Sequence, residues 1–164
     1  MAEEIVVQPY SEKFKDDIIN LILDIQQNEF QIPIQKEDQP DLSDIPGFYQ
    51  KGAGNFWVAL CHDQPVGTIS LLDIGDDQAA LRKMFVKASY RGNKYNAAKS
   101  LLQTSIAWAK QNKITAIYLG TTEKFLAAHK FYEKNGFEPI AAGDLPASFP
   151  IMQVDTKFYK YAGI

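Results

Sequence analysis

One cysteine and two histidines among 164 residues leave little material for the chemistries that depend on them. A lone Cys61 excludes an intramolecular disulfide, and its place in the apolar run FWVALC marks a buried, inert thiol in a reducing compartment. His62 precedes a turn and reads as an exposed residue. Long apolar runs are also missing. No stretch approaches the ~18 residues of a membrane span, and the acidic start MAEEIVVQPY is too weakly apolar for a signal peptide. The expectation is a cytoplasmic protein without a membrane partner. Nor is there an excess of positive charge: 17 Lys and Arg against 20 Asp and Glu give a net charge of −3. That gives no global reason to bind nucleic acid, so any basic cluster needs a local justification. Repeats, low-complexity tracts and linkers are absent, and with 46% hydrophobic residues the chain, 1–164, is expected to form a single domain.

What is present alternates between two periods. EIVVQPY reads as a strand, and Phe14, Ile18, Leu21, Ile22 and Ile25 then share one helical face. The Pro- and Asp-rich stretch from Phe30 to Gly54 reads as a long loop with a short helix near Ser43 to Tyr49. NFWVALCH and VGTISLLD, separated by Asp63-Gln64-Pro65, predict an antiparallel hairpin, and Ala79 to Val86 a third strand. A helix from Asn96 to Gln111, the strand ITAIYLGT, a helix from Lys124 to Asn135 and the strand FEPI follow, and IMQVDTKFYKY alternates as a last strand. This order predicts an α/β (α+β) chain with a mixed sheet, antiparallel in its first half and parallel where a helix connects strands.

The segment MFVKASYRGNKYNAAKSLL, Met84 to Leu102, joins such a strand to such a helix. Ala97, Ala98, Leu101, Leu102, Ser105, Ile106 and Ala109 form the buried face of the helix, so the YRG turn lies at its N-terminus. Backbone N–H groups there lack partners and the helix dipole is positive, an arrangement suited to an anion. Gly92 permits positive φ, Asn96 tolerates a left-handed conformation, and Ala97 and Ala98 allow close approach. Arg91, Lys94 and Lys99 add charge suited to a diphosphate. An ordinary turn with solvated lysines fits these residues about equally well.

The turn, its small-residue helix start and AAHKFYEKNGF (Ala127 to Phe137) together resemble the GNAT superfamily of acyl-CoA-dependent N-acyltransferases. The likeness is good from Asn55 to Ile140, and it covers the outer segments only by element order. It implies a mostly antiparallel central sheet with helices on both faces and a V-shaped splay between two parallel strands, here Ala79 to Val86 and Ile114 to Thr121. It also implies acetyl-CoA as co-substrate, no metal, and an amine acceptor on a small molecule or peptide; homodimers are common in the family. By resemblance, Arg91, Gly92, Asn93, Lys94, Asn96, Ala97 and Ala98 receive the pyrophosphate of coenzyme A. Met84, Phe85 and Val86 offer backbone to the pantetheine arm, and Thr121, Phe125, Ala128 and Tyr132 line its other side. Two departures stand out: the turn from Arg91 to Ala98 is longer than the common motif, and Phe125 stands where the family often has asparagine.

Acetyl transfer needs a neutral amine, a stabilised oxyanion and a protonated leaving thiol. Tyr132 is the implied acid, since a phenol with an ordinary pKa near ~10 keeps its proton at neutral pH. Without the resemblance, its place on the Phe125–Ala128–Tyr132 helical face would read as core packing. A backbone N–H near Phe85 is the implied oxyanion donor. Many relatives carry a glutamate base on a splayed strand, whereas here the corresponding region offers Arg82, Lys83 and Gly120. Glu123, Asp73, Asp76 and His129 are the nearest alternatives in sequence, and a water chain is another. Strand alternation predicts that Arg82 and Lys83 face opposite sides of the sheet, so at most one cation would favour an anionic acceptor in the cleft. Phe30 to Tyr49 and GDLPASFPIMQVD (Gly143 to Asp155) are expected to shape the acceptor pocket. A non-catalytic acyl-CoA-binding module and, more weakly, a nucleic-acid binder using the Arg91 to Lys99 patch are the competing readings.

Overall fold

Alternation in the first hairpin sets out the layers. The computed structural model describes residues 4–92, 94–152 and 154–164, and in it β2 (Asn55–Cys61) and β3 (Gln64–Gly75) pair antiparallel. Phe56, Val58 and Leu60 pack on one face against the helices Lys15–Leu23 (α1) and Ile45–Phe48 (α2). Trp57, Ala59 and Cys61 point the other way, to the core shared with Ala97–Gln111 (α3) and Leu126–Lys134 (α4). All of β2 is therefore buried, as a strand covered on both faces must be.

The remaining strands are β1 (Ile5–Pro9), β4 (Gln78–Val86), β5 (Ala116–Thr121), β6 (Glu138–Ile140) and β7 (Lys157–Tyr161). They complete a seven-stranded mixed sheet in the order β1-β2-β3-β4-β5-β7-β6. Every neighbouring pair is antiparallel except β4 and β5, whose crossover is α3. The ladder of that parallel pair holds only Gln78–Ala116, Ala79–Ile117 and Ala80–Tyr118; beyond it the strands part, although β4 runs on to Val86. This is the splay that the resemblance implied.

Two sequence expectations need correction. IMQVDTKFYKY enters the sheet only from Lys157, because the Asp155 backbone N–H donates to Met152 O (3.0 Å) while the Met152 N–H donates to Asp155 Oδ2 (2.9 Å). This local turn uses backbone groups that a strand would need. The alternation expected at Arg82 and Lys83 also fails. Between the pairs Thr68–Phe85 and Ser70–Arg82, β4 carries one more residue than β3, and Lys83 takes a φ of +53°. The bulge is held by Thr68 Oγ1 donating to Lys83 O (2.6 Å) and Ser70 Oγ donating to Arg82 O (2.7 Å). As a result, both side chains lie on the α1–α2 side: Arg82 beside Phe48 and Tyr49, Lys83 beside Gln39 and Asp41.

Candidate functional site

Where β4 and β5 part, a cleft of about 480 Å³ opens between the sheet, α4 and the loop before β7. Of the residues singled out in sequence, Met84, Phe85, Val86, Arg91, Gly92, Ala98, Thr121, Phe125, Ala128 and Tyr132 line it. Lys94, Asn96 and Ala97 do not: Ala97 is buried in the core, Asn96 caps α3, and the Lys94 ammonium sits over the Tyr95 ring. Asn93 lies outside the described residues. The Phe125 ring meets Phe30 edge to face at 4.7 Å between centroids, so Phe30 and Phe125 together border one end of the cleft. Beyond Ala80, β4 has no ladder partner on its β5 side, which leaves backbone groups able to pair with an extended polar arm.

The turn after β4 has the conformations its residues permit. Gly92 has φ +94° and Asn96 is left-handed with φ +53° and ψ +30°. Arg91 is not a free cation. Its guanidinium is bidentate to Glu29, with Nη2 to Oε1 at 2.7 Å and Nη1 to Oε2 the second contact, and its Nε–H donates to Val86 O at 2.8 Å. Glu29 ends the π-helical segment Asp24–Glu29 that prolongs α1, and its carboxylate holds the fork that a phosphate would use. Two opposite effects on coenzyme A affinity are expected. Arg91→Ala should weaken binding by about 1–3 kcal/mol for the loss of a charge-assisted contact. Glu29→Gln should tighten it severalfold by removing a competing anion. Calorimetric titration of both variants checks this; unchanged affinity in both would remove Arg91 from the site.

Beside the β4 bulge, sequence reasoning missed a buried polar network. Lys83 Nζ donates to Gln39 Oε1 (2.6 Å) and lies 3.5 Å from Asp41 Oδ2, which also accepts from the Tyr49 hydroxyl (2.6 Å). Gln39 and Gln26 exchange amide hydrogen bonds of 2.9 and 3.0 Å. Lys83 lies 44 positions from Gln39, so no motif announces the network; the signal available was the density of Gln and Asp residues from Gln26 to Asp44. Burial lowers the Lys83 amine from 10.5 to about 8, with Asp41 and Asp155 opposing the shift and Arg82 adding to it. The folded chain thus releases this proton before the unfolded chain does, and Lys83 contributes stability that grows as pH rises from about 8 towards 10.5. Chemical unfolding at stepped pH should show the wild type gaining on the order of 2–3 kcal/mol over Lys83→Met across that window.

Tyr132 is buried in the wall of the cleft, packed against Phe131, Phe137 and Tyr159. Its hydroxyl makes no hydrogen bond to a described residue. Burial pushes its pKa above the ordinary 10, with Tyr159 adding to the shift, so the phenol stays protonated well into the alkaline range. None of the base candidates read from sequence lines the cleft. Asp73 accepts the Ala53 and Gly75 N–H groups, Asp76 sits in the β3–β4 turn, Glu123 is exposed, and His129 Nε2 faces Thr122 O at 2.9 Å. The described residues include no cluster of three or more metal-ligating side chains, and no helix among them is long and apolar enough to cross a membrane.

A mixed sheet whose one parallel pair parts before a strand-to-helix turn, with a buried tyrosine across the gap, has the frame of an acyltransferase. The chain belongs to the acetyltransferase (GNAT) family, which residues 19–137 match. A GNAT-family acetyltransferase structure from Staphylococcus aureus Mu50 superposes with a TM-score of 0.92 at 44% identity, covering 96% of this chain and 98% of the other. An acetyltransferase from Streptococcus agalactiae 2603 also gives 0.92, at 31% identity and the same coverage. Zebrafish N-acetylaspartate synthetase is 39% identical over 102 residues, which make up 61% of this chain and 36% of that protein. The matched region thus spans about a third of the length of the curated relatives named for this activity.

Proposed function

We propose that the protein transfers an acetyl group from acetyl-CoA to a primary amine of a small molecule or peptide by direct attack, with Tyr132 as the acid that protonates the leaving thiolate. The observation that carries this reading is the end of the β4–β5 ladder at Ala80–Tyr118, which opens a cleft bordered by unpaired strand backbone, the Gly92 turn and Tyr132. A pantetheine arm extended along Met84 to Val86 would take up the polar groups that the splay leaves exposed, as an added strand does. Its diphosphate would reach the turn at Arg91 and Gly92, and its thioester the region near Lys83 and Tyr132. A backbone N–H near Phe85 is the donor for the developing oxyanion. The zebrafish relative is named an N-acetylaspartate synthetase, which supports an N-acetyl product.

Initial velocities measured with acetyl-CoA and an amine varied together test direct attack. Lines that intersect indicate a complex holding both substrates, the expected result. Parallel lines would indicate an acetylated enzyme and contradict direct attack. The lack of a glutamate at Arg82, Lys83 and Gly120 favours one alternative, a module that binds acyl-CoA without turnover.

A further inference from the structure

Three ionisable side chains without a part in the transfer step just described meet on the acceptor side of the cleft. Arg82 and Lys83 both arrive from β4 because the bulge turns Lys83 to the side Arg82 already faces. Lys83 is balanced by Asp41 at 3.5 Å. Arg82 has no such partner: among the described residues it forms no ion pair. Its guanidinium lies 5.5 and 5.9 Å from the ring centroids of Phe48 and Tyr49, with Nη2 3.4 Å from Met152 Sδ. Aromatic faces and a thioether position a guanidinium without using up its capacity to bind a carboxylate.

The third group is Asp155, in the loop before β7. Its Oδ2 accepts the Met152 N–H at 2.9 Å, and Oδ1 accepts no hydrogen bond from a described residue. The carboxylate lies over β5 at Gly120, where a Cβ would come within 2.6 Å of Oδ2. A glycine on the strand therefore leaves room for a carboxylate supplied by a different element. Burial raises the Asp155 carboxyl, and the Met152 N–H, Arg82 and Lys83 oppose that shift. These are the charged groups facing it from β4 and its own loop; β5 contributes only Gly120, and Tyr49 and Asp41 stand behind Arg82 and Lys83. A carboxylate raised by burial is a better base than a solvated one.

We propose that Arg82 and Asp155 form the acceptor subsite and select an amine that also carries a carboxylate, Arg82 receiving the carboxylate and Asp155 the ammonium end as general base. Lys83, balanced by Asp41, leaves Arg82 as the cation that an acceptor carboxylate would meet. This rests on the acetyl-transfer reading above. The ammonium N–H bond breaks and the proton passes to Asp155; the freed nitrogen lone pair then bonds to the thioester carbonyl carbon. The C–S bond breaks and the thiolate takes a proton from Tyr132. The second proton lost from nitrogen as the amide forms restores Tyr132, and the first leaves Asp155 for solvent, so one proton is released per turnover.

The test compares amino acids with matched alkylamines lacking the carboxylate, in the wild type, Arg82→Gln and Asp155→Asn, each shown to fold by its melting curve. Thiol release from acetyl-CoA gives kcat and KM, and calorimetry with coenzyme A present gives acceptor affinity independently of turnover. The wild type should prefer the carboxylate-bearing amine. Arg82→Gln should raise its KM and Kd roughly tenfold to a hundredfold while leaving those of the alkylamine unchanged. Asp155→Asn should lower kcat with the KM for acetyl-CoA unchanged, and the deficit should shrink as rising pH supplies neutral amine. Gly120→Ala, whose methyl would displace the Asp155 carboxylate, should reproduce that profile. Equal use of both amine classes, or an Arg82→Gln effect that does not distinguish them, would overturn the subsite. Absence of turnover with every amine would refute the acetyl-transfer reading, and calorimetry would still decide the subsite by the same comparison.

Discussion

Tyr132→Phe is expected to lower kcat roughly tenfold to a thousandfold while leaving the affinity for acetyl-CoA near that of the wild type. The substitution removes one proton donor and almost nothing else. The ring contacts with Phe131, Phe137 and Tyr159 belong to the aromatic framework, which phenylalanine reproduces. The hydroxyl has no described protein partner to leave unsatisfied, so the fold should tolerate the change. Because burial keeps the phenol protonated, its loss should be felt across the whole neutral range and not only on one limb of a pH profile. Steady-state kinetics paired with calorimetry for coenzyme A separate the two effects; wild-type turnover in the variant would return Tyr132 to the core.

Lys83→Met is expected to destabilise the protein by about 1–3 kcal/mol near pH 7, the cost of leaving the buried acceptors on Gln39 and Asp41 without their donor. The Lys83 and Asp41 side chains are 7% and 3% exposed, so solvent does little to compensate. Asp41 would keep only the Tyr49 hydroxyl, and Gln39 would lose a charge-assisted donor. Removing both charges in Lys83→Met/Asp41→Leu should recover a large part of the loss, since an apolar pair of similar volume is often no worse than a buried ion pair. Urea titrations of the four proteins in the cycle measure the coupling. Additive losses would mean that the pair does not tie the loop bearing Asp41 to β4.

Legibility in the sequence followed the range of the interactions. The β-rich runs on either side of Asp63-Gln64-Pro65, the doubled four-residue spacing of α3 and the AAHKFYEKNGF segment are local, and from them the hairpin, the crossover helix and the frame of the fold were read correctly. The splay was legible only through the resemblance, because nothing in the residues of β4 or β5 encodes where a ladder ends. The bulge was hidden for a different reason. Positive φ at a lysine is locally unfavourable and is maintained by Thr68 and Ser70 on the neighbouring strand. The Arg91–Glu29 pair closes over 62 positions of sequence, and the Lys83–Gln39 bond over 44. Asp155 sat in a segment read as strand, where alternation would have assigned it a face but not a role.

The most direct test of acetyl transfer is the release of free thiol from acetyl-CoA with and without an amine, with the amine product identified by mass. The account predicts thiol release that requires the amine, matches the acetylated product mole for mole, and falls sharply in Tyr132→Phe. Tight, saturable binding of acetyl-CoA with no amine-dependent thiol release would contradict it and leave the cleft as a binding site without catalysis.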